Sequence, residues 1–230
     1  MNKLTKQKLE EALQLGDKKY YEDFDLTTYG DTLEPGSMPA DGLYEYWMQE
    51  SKPSIVIEVG SFLGYSAIKM AKEVQRLGLD TKIICVDTWL GSPEHYQMHK
   101  GDMQDNRLGY VHGYPTMYHK FISNVIHHGV QDIIQPFPFP SSVAFKTLER
   151  LFNDMDVKAD FIFVDGSHEE HDVALDLYYY YQLLKEGGQL WGDDWGWGGV
   201  QTAVLNFVKE NDMQNQLNVV QNNVHWFIQK

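Results

Sequence analysis

Three acids and a histidine stand where they could do chemistry together. Asp165 closes the apolar run 159–164 and is followed by Gly166, Ser167 and His168, while Asp193 and Asp194 close a second run that begins at Gln189. A short apolar run bounded by turn residues reads as a buried strand. In an open α/β sheet, ligands bind beyond the carboxyl ends of the strands. Asp165, Asp193 and Asp194 would converge there, and three uncompensated carboxylates repel one another. A divalent metal relieves that repulsion, and an all-oxygen donor set suits Mg2+ first, with Mn2+ or Ca2+ as the other choices. His168, on the turn into the next helix, can face the same cavity. Histidine is a natural general base for a hydroxyl, and a hydroxyl on a cation gives up its proton more easily. His171 would fall on the helix. The order His168-Glu169-Glu170-His171 is not His-Glu-x-x-His, which argues against a zinc protease.

A second constellation surrounds the stretch 55–70. A β-branched run ends at Glu58 and Val59, turns through Gly60, Ser61 and Gly64, and enters an Ala/Ile/Met-rich helix near Ser66. The two glycines let the backbone bend sharply and approach a ligand. The helix start points free N–H groups into that turn, and Glu58 can accept hydrogen bonds from a ligand's amino or hydroxyl groups. Asp87, 27 residues after Gly60 at the end of the next apolar run, can accept from both ribose hydroxyls. A dinucleotide fold would want Gly-x-Gly-x-x-Gly; here the spacing is Glu-x-Gly-x-x-x-Gly, so an NAD-dependent oxidoreductase is the weaker reading.

The elements that must position these residues follow from periodicity. A weak amphipathic helix spans 3–15, with Leu4, Leu9, Ala12 and Leu15 on its apolar face, and a Tyr-rich loop covers 20–36. Ser37 caps a second helix with Pro39 in its first turn, whose stripe of Leu43, Tyr44, Trp47 and Met48 is core packing. Strand one is 54–59, its helix 65–77, and strand two 82–87. The tract 88–113, holding His95, His99, Tyr110 and His112, shows no periodicity and reads as a lid, a substrate cover or disorder. A helix at 115–128 ends on His127 and His128, favoured there by the helix dipole. Strand three is 132–137. Ser141 or Ser142 caps the helix at 143–153. Strand four is 159–165, and a long helix follows, ended by Gly187-Gly188. Strand five is 189–194, a helix covers 198–210, and 216–221 and 224–229 form a hairpin around Asn222-Asn223. Strands alternating with helices and closed by a hairpin give a doubly wound α/β sheet with one antiparallel strand.

Composition bounds the partners. The 230 residues carry 19 Lys+Arg against 33 Asp+Glu, a net charge of −14, with no run of Lys/Arg. Such a surface disfavours a nucleic-acid backbone and an anionic membrane. Cys85, the only cysteine, excludes an intramolecular disulfide and sits in an apolar run. No apolar leader opens the sequence and no stretch approaches the roughly 20 apolar residues of a membrane span, so the expectation is a cytoplasmic protein. A homo-oligomer stays open.

The segment from Glu58 to Met70 resembles the first motif of class I S-adenosyl-L-methionine-dependent methyltransferases. Val164 to His168, Leu184-Lys185-Glu186-Gly187-Gly188 and Gly192-Asp193-Asp194 look more specifically like the metal-dependent O-methyltransferases that act on sugars of antibiotics and glycans. The resemblance covers about residues 37–230, leaving 1–36 as an N-terminal helical and loop extension. It implies a Rossmann-like seven-stranded sheet in the order 3-2-1-4-5-7-6. It implies the cofactor at Glu58, Gly60, Ser61, Gly64, Ser66 and Asp87, a serine at Ser141 or Ser142 near the adenine, and Met38 as a minor contact. It also implies metal at Asp165, Asp193 and Asp194, with His168 as base. Catechol-type relatives carry Asp-Asn and a lysine base at the matching positions, so a sugar-like vicinal diol, a small molecule or a glycan, is favoured as acceptor over a phenol. Trp89, Trp191, Trp195 and Trp197 are candidates to stack on its ring. The rival from another class is a non-catalytic, partner-binding module on the same fold.

Overall fold

The computed structural model describes residues 3–33, 42–93, 95, 108–220 and 224–230. The expected cap at Ser37 and Pro39, the Met38 contact, His99 and the Asn222-Asn223 turn lie outside them.

Seven strands form one mixed sheet: β1 (Ile55–Val59), β2 (Lys82–Val86), β5 (Ile134–Phe137), β6 (Ala159–Val164), β7 (Leu184–Gly192), β8 (Leu217–Val220) and β9 (His225–Gln229). Their order is β5-β2-β1-β6-β7-β9-β8, which is 3-2-1-4-5-7-6 counted along the chain, as expected. The first five pair in parallel, and β9 runs antiparallel to both its neighbours. Every residue of β1 and β2 is buried because helices cover both faces.

Alternate β1 side chains feed two cores. Ile55, Ile57 and Val59 join one face, with Leu9 and Leu13 of α1 (Lys3–Leu13) and the apolar stripes of α6 (Ser141–Met155), α7 (Glu170–Leu183) and α8 (Gly198–Glu210). Val56 joins the other, with α3 (Leu43–Ser51), which follows the single-turn α2 (Leu26–Tyr29), and with α4 (Tyr65–Leu77) and α5 (Met117–His127). Leu43, Tyr44, Trp47 and Met48 are buried, as their spacing predicts. Cys85 is fully buried.

Level registers matter most for function. Val86, Val59, Val164 and Gly192 are successive partners across β2, β1, β6 and β7. The next residue of each strand is Asp87, Gly60, Asp165 and Asp193, so these four form one row along the carboxyl edge. Gly60 has φ +86°, and a Cβ there would overlap the backbone of Asp165 and Gly166. The glycine is required by the approach of another strand's backbone.

Several local expectations are corrected. The first helix ends at Leu13, and its buried face is Leu9 and Leu13, with Leu15 exposed. The pair Gly187-Gly188 does not end a helix. α7 stops at Leu183, and the glycines sit inside β7. Ala159 pairs with Leu184 and Phe161 with Gln189, so the extra residues of β7 bulge outward. Gly187, at φ +74°, donates to the Lys230 carbonyl (2.9 Å). Neither Ser141 nor Ser142 caps its helix. Pro140 is the N-cap, and its carbonyl accepts from Val143 and Ala144. In the tract 88–113, Trp89 and Leu108 are buried anchors, and Tyr110–Val111 (β3) pairs with Tyr114–Pro115 (β4), a hairpin the sequence did not announce.

Replacing Gly60 by alanine should destabilise the fold by more than about 2 kcal/mol in urea unfolding, because backbone cannot yield to the new methyl group. A loss within about 0.5 kcal/mol would show that the two turns can separate.

Candidate functional site

The strand ends open into a cavity of about 790 Å³. That is room for a nucleoside-sized cofactor and a small acceptor together. Its floor is the row defined by the registers. Gly60, Ser61 and Ser66 line one end with Asp87, Ser141 and Ser142 line a side wall, and Asp165, His168, Asp193, Asp194 and Trp197 line the other end.

Two residues expected to touch the cofactor do not line this cavity. Glu58 is fully buried behind the turn, where it accepts from the Ser66 hydroxyl and the Cys85 thiol (3.6 Å). Its carboxyl is pushed up to about 7 by burial, against the pull of the Ser61, Ser66 and Cys85 side chains. It braces the turn from within. Gly64 packs toward the Phe121 ring. Asp87 does line the cavity, and its carboxylate ties the same turn. Oδ2 accepts from the Phe62 N–H (2.8 Å) and Oδ1 from the Trp89 N–H (2.7 Å). The Trp89 indole donates to the Phe62 carbonyl (2.7 Å). These bonds hold Phe62 and Trp89 at positive φ, a conformation side chains otherwise avoid. Burial raises the Asp87 carboxyl, while those N–H groups lower it. His95 stacks on Phe62 (5.1 Å between centroids) and bonds Ser92, so it belongs to the wall.

At the other end, one oxygen from each of Asp165, Asp193 and Asp194 lies within 4.8 Å of the others. Burial, then Asp193 and Asp194, push the Asp165 carboxyl well above the usual carboxylate range. The donor set is all oxygen, crowded and mutually repelling, and it fits a hard divalent cation. Three backbone facts set its shape. The Asp165 N–H donates to the Val59 carbonyl (2.8 Å), and the Asp193 N–H to the Val164 carbonyl (3.2 Å). Asp194 turns left-handed at φ +56°, its N–H on Asp193 Oδ1 (2.8 Å). His168 Nε2 lies 2.7 Å from Asp194 Oδ2, and its ring stacks on Trp197 at 4.4 Å. A Cβ at Gly199, in the first turn of α8, would overlap the His168 carbonyl, so that helix start presses directly on the His168 loop. Of the four tryptophans offered for ring stacking, Trp89 and Trp191 are buried, whereas Trp197 is 46% exposed at the cavity mouth.

Two residues of this region escaped the sequence. Asp176 lines the cavity, accepts from the Ser141 hydroxyl, and is raised to about 7 by burial. Its signal was an acid inside the apolar stripe Val173, Leu177, Tyr180. His225, at the start of β9, is fully buried with Nδ1 3.0 Å from Asp193 Oδ1.

Comparison with known proteins decides the family. A family model described as "Methyltransferase domain" matches residues 57–195, more than half of the chain. The chain belongs to this family, among the class I S-adenosylmethionine-dependent methyltransferases. No curated protein matches the sequence. Among solved structures, this methyltransferase shares its fold with the O-methyltransferase NovP (TM-score 0.58, 15% identity, 81% of this chain and 76% of that one). It also shares it with TomG from Streptomyces achromogenes, an O-methyltransferase of tomaymycin synthesis solved with its methyl donor (TM-score 0.56, 13% identity, 82% and 78%). A third is an O-methyltransferase from Bacillus cereus (TM-score 0.53, 14% identity, 97% and 96%). Among the described residues, no helix is long and apolar enough to cross a membrane.

Glu58 carries a pH signature. Its carboxyl titrates near 4.5 unfolded and near 7 folded. Between those values the folded chain keeps a proton that the unfolded chain has lost. Stability therefore falls as pH rises through this window and levels off above 7, by about 3 kcal/mol at most. In urea unfolding at pH 5 and pH 8, Glu58→Gln should shrink that fall. Asp176, raised for the same reason, keeps a share of it. An unchanged fall would place the titration elsewhere.

Proposed function

We propose that this methyltransferase transfers the methyl group to a hydroxyl of a sugar or another vicinal-diol small molecule or glycan, with a divalent cation at Asp165, Asp193 and Asp194 and with His168 as general base. The observation that carries the reading is the three-carboxylate cluster sharing one cavity with the histidine and with the Gly60–Ser66 turn. In this reading S-adenosylmethionine lies along Gly60, Ser61, Ser66 and Asp87, with its adenine toward Ser141 and Ser142. Glu58 and Gly64 support that turn from behind. Mg2+ is the first choice of metal, with Mn2+ or Ca2+ fitting the same donors. A cation held by these three carboxylates would supply Lewis-acid chemistry, making an acceptor hydroxyl more acidic.

The protein's own residues do the rest. His168 takes the hydroxyl proton, and Asp194 beside its Nε2 favours the imidazolium so formed. The sulfonium methyl is already activated, so the main contribution of the chain is alignment of oxygen and methyl. Trp197, stacked on His168 and half exposed, offers an apolar face to the acceptor ring.

Methyl transfer from S-adenosylmethionine to a panel of sugars, glycosides and catechols tests the reading. Chelator should abolish turnover and Mg2+ restore it, with vicinal diols as the better acceptors. Turnover indifferent to chelator would remove the metal from the mechanism. His168→Gln should lower kcat by about 10²–10⁴ while leaving affinity for S-adenosylhomocysteine within about threefold. Trp197→Ala should raise the acceptor KM more than it lowers kcat; an unchanged KM would mean that the acceptor lies elsewhere.

A further inference from the structure

The strand register that lines up the acids also brings a histidine to them from the far side. β9 pairs antiparallel with β7, with Gly192 opposite Trp226, so one step beyond that pair His225 comes level with Asp193. The Trp226 indole packs where a Gly192 side chain would be and donates to the Asp193 carbonyl (3.2 Å). The last strand therefore grips Asp193 at both backbone and side chain.

His225 has no solvent exposure. Its ring meets Trp47 edge-on at 6.0 Å and Phe163 at 6.4 Å. Nε2 has no hydrogen-bond partner among the described residues. Nδ1 sits 3.0 Å from Asp193 Oδ1, close to that carboxylate but not aligned as a hydrogen bond. A polar ring sunk among aromatics costs stability unless it interacts with something. Here, among the described residues, its close polar neighbour is a carboxylate of the acidic cluster. The Asp194 N–H falls on the same oxygen, Oδ1 (2.8 Å), so two groups hold that carboxylate from one side.

We propose that His225 is a positioning residue for the cation site: packed behind Asp193, it fixes the orientation in which that carboxylate meets Asp165 and Asp194. The inference rests on the cation reading above. Groups behind a metal ligand commonly govern affinity by 10–100-fold through orientation. His225 touches no substrate, so it acts only through Asp193.

The test is calorimetric titration of Mn2+ alone into the chelator-treated full chain, with the melting temperature of the metal-free protein measured in parallel. Wild type should show one site that Asp165→Asn abolishes. His225→Phe, which keeps the bulk and removes the nitrogens, should weaken that site by about 10–100-fold. His225→Asn, whose amide nitrogen falls near the Nδ1 position, should stay within about threefold of wild type even if it melts earlier. A merely structural role would lower the melting temperature of both variants and leave the affinity of the folded protein unchanged, and that result overturns the proposal. If His225→Phe does not fold, His225→Gln replaces it: its amide falls near Nε2, so affinity should drop, and affinity equal to that of His225→Asn overturns the proposal. No Mn2+ site in wild type would instead overturn the cation reading itself, and this proposal with it.

Discussion

Parallel strands paired in level register put their last residues side by side, and everything functional in this chain hangs on that. Val86, Val59, Val164 and Gly192 share one line across the sheet, so the residues after them emerge together at its carboxyl edge. A single-residue slip of β6 or β7 would reverse which face each side chain points to. It would also carry Asp165 or Asp193 out of the cavity. The apolar cores on the two faces hold this register, which is why strands whose one buried acid among the described residues is Glu58 can present a row of acids at their tips. Glu58 is the exception that braces the turn rather than the ligand.

The site is built against its own electrostatics. Asp165 is flanked by two carboxylates and buried, so its ionised form is held at a cost the rest of the fold must offset. Some of the chain's backbone strain lies in the same place. Phe62, Trp89 and Asp194 all adopt positive φ in the turns that line the cavity. Crowded like charges and strained turns mark functional sites. The hydrogen bonds that hold these turns, from Phe62 and Trp89 to Asp87 and from Asp194 to Asp193, keep the cavity's rim in shape.

Strand order, the acid row and the placement of His168 were legible in the sequence because each follows from a short apolar run ending in a fixed residue. Contacts across the fold were not. Glu58 reads as a ligand-facing acid at a strand end, but the hydroxyl of Ser66, eight residues on in the first turn of the next helix, captures it inward. Ser141 reads as a helix cap, yet its hydroxyl turns to Asp176 on a helix 35 residues later. Gly187-Gly188 reads as a helix stop. The chain's final residue pairs with it and makes it part of a bulged strand. His225 is invisible in one dimension, since its meaning comes from the antiparallel register of β9 against β7.

The most direct test is a crystal structure grown with Mn2+ and S-adenosylhomocysteine, with anomalous scattering recorded at the manganese edge. The cofactor is expected along Gly60, Ser61 and Asp87, with one manganese peak within about 2.5 Å of an oxygen of each of Asp165, Asp193 and Asp194. Cofactor bound in the cavity with no manganese at those three carboxylates would contradict it, leaving a methyltransferase whose acidic cluster serves another purpose.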